Sequence, residues 1–224
     1  MIPWLRGDEP FPPVSKALKS PNGLLCAGGD LSPARLVDAY RHGIFPWFSE
    51  GDPILWWSPD PRMVLFPEEL HVTRSLRKAV ERGPYETRID TAFRTVVEAC
   101  AEPRDAHGGT WIVPEMVDAY TRLHALGFAH SVESWSGDTL AGGLYGVALG
   151  KVFFGESMFT RATNASKVAL VRLAERLREK EFRVIDCQQA TAHLASLGAR
   201  EIPRKAFAGL LRESIQCPVM GQLI

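Results

Sequence analysis

The stretch IDCQ places a carboxylate, Asp186, and a carboxamide, Gln188, two residues apart. On a regular strand both side chains point to one face, with Ile185 and Cys187 on the other. Such a pair can orient an amine and take up its proton as the amine attacks a carbonyl carbon. The same pair can instead satisfy local backbone groups at a strand end. A second carboxylate, Glu156, sits among apolar residues in FFGESMF. A carboxylate in such surroundings is costly unless paired, so Glu156 either closes a structural ion pair or holds a ligand's cation. Met158, two residues on, is an adaptable pocket filler or ordinary core.

The segment RSLRKAVER carries Arg74, Arg77, Lys78 and Arg82 at spacings that share one helical face. From His71 to Arg94 there are six basic residues against three acidic ones. That face is either a solvated helix surface or a seat for a phosphate backbone, which gains from counterion release. Cys187 and His193 lack the spacing of a thiol–imidazole nucleophile, and His124 and His130 lack a third metal ligand, so no metal site is expected.

The elements that must position these groups follow from periodicity and breakers. Residues 1–62 are rich in Pro, Gly and Trp, with one helix expected from Ser32 to His42, capped by Ser32 and stopped by Gly43. The run GIFPWFSEGDPILWWSPDPR holds Trp47, Trp56 and Trp57 between four prolines, so it cannot be one regular element. From Met63 the texture changes. Helices are expected at Thr73–Arg82, Ala92–Cys100 and Pro114–Leu126. Then come three strands, AHSVESW, LAGGLYGVALG and KVFFGESMF, and the amphipathic helix NASKVALVRLAERLREKEF with Leu170, Leu173, Ala174 and Leu177 as its stripe. A strand at RVIDCQ and a short helix at TAHLASLG follow. This order reads as α/β (α+β): an acetyltransferase-like (GNAT-like) domain over residues 63–224 behind a small Pro/Trp-rich domain over residues 1–62. The coenzyme A version of that fold uses a glycine-rich loop before its central helix; FTRATNASK has no glycine, so another acyl donor is expected.

The chain has 224 residues, 46% of them hydrophobic, and a formal net charge of zero. An ordinary globule is expected, and a protein that coats nucleic acid is not. No apolar run approaches the roughly 20 residues of a membrane span. The first residues lack a signal-peptide pattern, and the four dispersed cysteines read as reduced thiols of the cytoplasm. A monomer fits the zero net charge.

Several long stretches resemble one family. They are PNGLLCAGGDLSPARLVDAYRHGIFPWF, PILWWSPDPR, GTWIVPEM, the AHSVESW–GGLYG meander, FFGESMF, NASKVAL, IDCQ and HLASLGAREIPR. Together, and in this order, they resemble the leucyl/phenylalanyl-tRNA–protein transferases, bacterial enzymes of the N-end rule. The resemblance implies transfer of Leu, Phe or sometimes Met from aminoacyl-tRNA to the free α-amino group of proteins beginning with Arg or Lys. It implies no cofactor, because the aminoacyl ester is already activated. By position in the motifs, Trp47 and Trp111 stack on or cover the tRNA's terminal adenosine, while Trp56 and Trp57 knit the small domain to the large one. Leu144, Met158, Leu170, Leu173 and Ile185 receive the amino-acid side chain. Asp186 orients the incoming amine, Gln188 holds that amine or the ester carbonyl, and Glu156 binds an ammonium group. Arg74, Arg77 and Lys78 grip the acceptor stem.

Overall fold

The computed structural model describes residues 2–103 and 112–215. Near the N-terminus a small sheet forms from β1 (Trp4–Leu5), β2 (Leu24–Gly28), β3 (Phe45–Pro46) and β4 (Leu55–Trp57), in the order β1-β2-β4-β3. Helix α1 (Pro33–Arg41) joins β2 to β3. It starts where expected: the Ser32 hydroxyl accepts from the Arg35 amide at 3.3 Å, and Pro33 takes the first helical position. Gly43, at φ +71°, turns the chain after it. The tryptophans are tied by their indole donors. Trp56 donates to the Gly28 carbonyl at 2.8 Å and Trp57 to the Trp47 carbonyl at 2.7 Å. The prolines therefore shape a short ladder rather than forbid one.

The large sheet comprises β5 (Arg62–Leu65), β6 (Glu86–Ile89), β7 (Ala129–Ser136), β8 (Thr139–Leu149), β9 (Val152–Thr160), β10 (Val184–Gln188) and β11 (Arg200–Ile202). Its order is β11-β5-β10-β9-β8-β7-β6. The meander β7–β8–β9 and the return to β10 follow the order read from the sequence. Among the described strands of this sheet only β9 and β10 pair in parallel, joined through helix α5 (Ala165–Glu179). The other helices are α2 (Arg74–Arg82), α3 (Phe93–Ala101), α4 (Pro114–Ala125), α6 (Ala192–Ser196) and α7 (Arg204–Ser214). The apolar stripe of α5 packs Leu170, Leu173 and Leu177 on one face of the sheet, against Leu144, Phe153 and Ile185. The other face is covered by α1, α3, α4, α7 and the small sheet in one continuous core. No helix among the described residues is long and apolar enough to cross a membrane.

One ion pair lies at the centre. Arg62 of β5 and Asp186 of β10 are both fully buried. Nε donates to Oδ1 at 2.8 Å and Nη2 to Oδ2 at 2.6 Å, a two-pronged pair. Nη1 donates to the Gly43 carbonyl at 3.1 Å. The guanidinium lies 4.9 Å from the Phe45 ring centre and 4.9 Å from that of Phe207. Removing one partner strands a buried charge. Arg62→Ala and Asp186→Ala are each expected to lose about 3–5 kcal/mol in urea unfolding. The double variant is expected to lose clearly less than the sum, which a double-mutant cycle measures.

Candidate active site

Strands β9 and β10 pair only as far as Phe154 and Asp186 and then separate. An open position at the carboxyl end of parallel strands is where α/β sheets hold ligands. Here it forms a cavity of about 430 Å³. Leu144, Met158, Leu170, Leu173 and Ile185, the five residues expected around the amino-acid side chain, all line it, with Phe153 beside them. Its polar lining includes Glu156 and Gln188, with Ser157, Gln189, Thr191 and His193. Trp47 forms one wall and is 37% exposed.

Both polar residues stand at breaks in strand alternation. In β9, Ser157 pairs with Tyr145 and Gly155 with Gly146, so Glu156 is an extra, unpaired residue. In β10, Asp186 pairs with Val64 and Gln188 with Met63, so Cys187 is the extra one. A bulge of this kind re-aims the side chains around it. Gln188 has φ +56°, a left-handed conformation for a residue with a side chain. This corrects the expectation that Asp186 and Gln188 share a face. Ile185, Cys187 and Gln188 line the cavity, and Asp186 does not.

Asp186 is fully buried and stands outside the cavity lining, where the IDCQ pattern had put it beside Gln188. Its oxygens are taken by Arg62, and Oδ1 also accepts from the Gln188 backbone amide at 3.1 Å. It holds Gln188 in place from below. Gln188 Nε2 donates to Glu156 Oε1 at 3.1 Å, while its Oε1 has no partner among the described residues.

Glu156 forms no ion pair with any described residue. It is held by two phenols that the sequence reading missed. Tyr40 of α1 donates to Oε1 at 2.8 Å and Tyr120 of α4 to Oε2 at 2.8 Å. Burial pushes the carboxyl up from 4.5 to about 7, against the lowering effect of the two tyrosine donors. The tyrosines' own hydroxyls are pushed well above their ordinary value, first by burial and then by the neighbouring carboxylate. A signal for them exists in the sequence: the tetrapeptide VDAY occurs twice, ending at Tyr40 and at Tyr120.

Arg74, Arg77 and Lys78 lie on the exposed side of α2, away from the cavity lining, and no described residue forms an ion pair with them. Trp111 lies outside the described residues. Cys187 lines the cavity with its thiol pushed well up by burial, so it is a neutral wall group rather than a nucleophile. His193 is at the cavity rim. His130 bonds to Asp90 at 2.7 Å, and His124 stacks on Phe93 with ring centres 4.2 Å apart.

A split parallel strand pair, an apolar cavity and a carboxyl–carboxamide pair at its polar part define an acyl-transfer type of site. Residues 64–212 match the family model described as leucyl/phenylalanyl-tRNA protein transferase, and residues 29–60 match that family's N-terminal domain. A leucyl/phenylalanyl-tRNA–protein transferase of Nitrosospira multiformis is 61% identical over 222 residues, covering 99% of this chain and 96% of the relative. The protein of that name from Stutzerimonas stutzeri is 60% identical over 219 residues, covering 97% of each. A GCN5-related N-acetyltransferase from Kribbella flavida overlays with a TM-score of 0.39 at 11% identity, covering 74% of this chain and 59% of that one. The chain belongs to the leucyl/phenylalanyl-tRNA protein transferase family and is an enzyme of the aminoacyltransferase class.

A carboxyl raised from 4.5 to about 7 favours the folded state less once it ionises. Its effect is absent below the unfolded value and grows as pH rises toward the folded one. Glu156→Gln is therefore expected to gain stability relative to the unchanged protein between acid and mildly alkaline pH. The limit is on the order of 3 kcal/mol, read by urea unfolding across the range.

Proposed function

We propose that this enzyme moves Leu or Phe, and also Met, from aminoacyl-tRNA to the free α-amino group of proteins that begin with Arg or Lys. The product would carry an N-terminus that marks it for N-end-rule degradation in the cytoplasm. The observation that supports this reading is the cavity: Leu144, Met158, Leu170, Leu173 and Ile185 give it apolar walls of a size to take an amino-acid side chain, with Glu156 and Gln188 beside them. A hydrophobic site separates side chains differing by one methylene by only about 1–3 kcal/mol, so a shared preference for Leu, Phe and Met suits it.

The geometry supports the following roles. Glu156 faces the ammonium group. The free Oε1 of Gln188 accepts a hydrogen bond from the attacking amine, and its position is fixed through the backbone by Asp186. Trp47 offers a flat face to the terminal adenosine, where base stacking contributes about 1–3 kcal/mol. Much of the rate comes from holding amine and ester together, up to about 7–11 kcal/mol in favourable systems. The exposed charges of α2 meet acceptor-stem phosphates, a contact with no base preference.

The test mixes the protein with labelled Phe-tRNA and peptides beginning with Arg, acetyl-Arg or Gly. Label is expected on the free Arg peptide alone, and Gln188→Ala is expected to slow its transfer by about 10²-fold. No transfer from Phe-, Leu- or Met-tRNA by folded protein sinks the proposal. Leu170→Trp fills the cavity and is expected to cut Phe transfer about 10–200-fold, more than Leu transfer. Replacing Arg74, Arg77 and Lys78 together by Ala is expected to weaken tRNA binding and flatten its log–log salt slope by about 2–3.

A further inference from the structure

Glu156, Tyr40 and Tyr120 touch one another pairwise. Tyr40 Oη is 2.5 Å from Tyr120 Oη and 2.8 Å from Glu156 Oε1, and Tyr120 Oη is 2.8 Å from Glu156 Oε2. All three contacts are at hydrogen-bonding distance, so each calls for one proton. Two phenols carry two protons. With Glu156 ionised, both are donated to the carboxylate, and the phenol oxygens face each other with none between them. One added proton completes the count. The carboxyl then donates to Tyr120, Tyr120 to Tyr40, and Tyr40 back to the carboxyl. Gln188 Nε2 adds a donor on Oε1, which leaves Oε2 a lone pair.

We propose that Glu156, Tyr40 and Tyr120 form a closed hydrogen-bond ring that stores the proton released by the attacking amine. This role rests on the aminoacyl-transfer reading of the cavity. The incoming α-ammonium gives one proton to Glu156, and its freed lone pair attacks the ester carbonyl carbon. The C–N bond forms, and the bond from that carbon to the adenosine 3′-oxygen breaks. The second proton lost by nitrogen goes to the departing oxygen. The stored proton then leaves to water, and the carboxylate is restored. An ester and an ammonium become an amide, a ribose hydroxyl and one proton. Glu156 lines the cavity and is the catalytic residue. Tyr40 and Tyr120 do not line it and act through Glu156 as positioning residues.

The surroundings suit a store rather than a fixed charge. The groups facing Glu156 besides the two phenols are Asp186 of β10, Arg62 of β5 and Tyr145 of β8. Asp186 and Arg62 neutralise each other in their two-pronged pair. Tyr145 Oη is buried and has no partner among the described residues. Burial brings the carboxyl to about 7, where a group both takes and yields a proton readily.

The experiment pairs two readouts on the full chain. Difference infrared spectroscopy follows the protonated-carboxyl band of Glu156 with pH, assigned by its loss in Glu156→Gln. The rate of transfer from Phe-tRNA to an Arg peptide is followed over the same range. One midpoint near neutrality is expected in both readouts. Tyr120→Phe and Tyr40→Phe each remove a donor that favours the ionised form. In each, the two midpoints are expected to move together by about one pH unit, so that the pH profile of the rate follows the titration of the carboxyl. Tyrosines that only support the fold would lower the rate equally at every pH, and that result overturns the ring. A carboxyl that titrates below about pH 5 in the unchanged protein also overturns it, without any variant. No transfer at all, with the titration intact, defeats the transfer reading and the role with it; transfer intact with unmoved midpoints defeats the ring alone.

Discussion

A buried guanidinium–carboxylate pair organises this enzyme. Arg62 is fully buried and reaches four groups from three parts of the chain: the Gly43 carbonyl and Phe45 ring, Asp186, and the Phe207 ring. A lone charge in that position would be strongly unfavourable, so the small sheet, the C-terminal helix and β10 must close around it together. The pair also fixes the site. Asp186 also accepts the Gln188 amide on Oδ1, just where β10 turns left-handed. The Gln188 carboxamide is thereby presented to the cavity instead of following the strand's alternation.

The cavity arises from a second constraint on the same strands. Parallel pairing of β9 and β10 stops at Phe154 and Asp186, and each strand then carries one unpaired residue. In β9 that residue is Glu156, turned toward Tyr40 of α1 and Tyr120 of α4, which lie 80 residues apart. A close approach accompanies the bulge: a Cβ on Gly146 would fall 2.2 Å from the Phe154 carbonyl oxygen. Only glycine fits there. The result is a carboxyl that is near-neutral, hydrogen-bonded and open to a ligand, next to apolar walls.

Much of this was legible in the residues. The helix at Pro33–Arg41 carries its cap and stop in Ser32, Pro33 and Gly43, and the stripe of α5 shows in Leu170, Leu173 and Leu177. The meander, the helix after it and the strand IDCQ are local patterns, set by alternation and by glycine turns. The apolar pocket residues were found through long motifs resembling a family. Strand β5 is not legible in the residues, because Arg62–Leu65 lies beside a proline-rich run and gains its identity by pairing with β10 and β11. Helix α7 was missed as well, since its apolar face is completed by residues such as Gly43, far away in sequence.

The sequence by itself determined which side chains exist to do chemistry and which local elements carry them. Helix caps, strand alternation and breakers act over a few residues, and these can be read in order. Tertiary structure decided which of those side chains meet. Alternation put Asp186 and Gln188 on one face, yet a single extra residue at Cys187 sent one beneath the cavity and the other into it. The repeated VDAY marks the two tyrosines, but only the packing of α1 and α4 brings them, 80 residues apart, onto one carboxyl. Bulges and long-range contacts depend on packing between distant segments, and no local pattern records that.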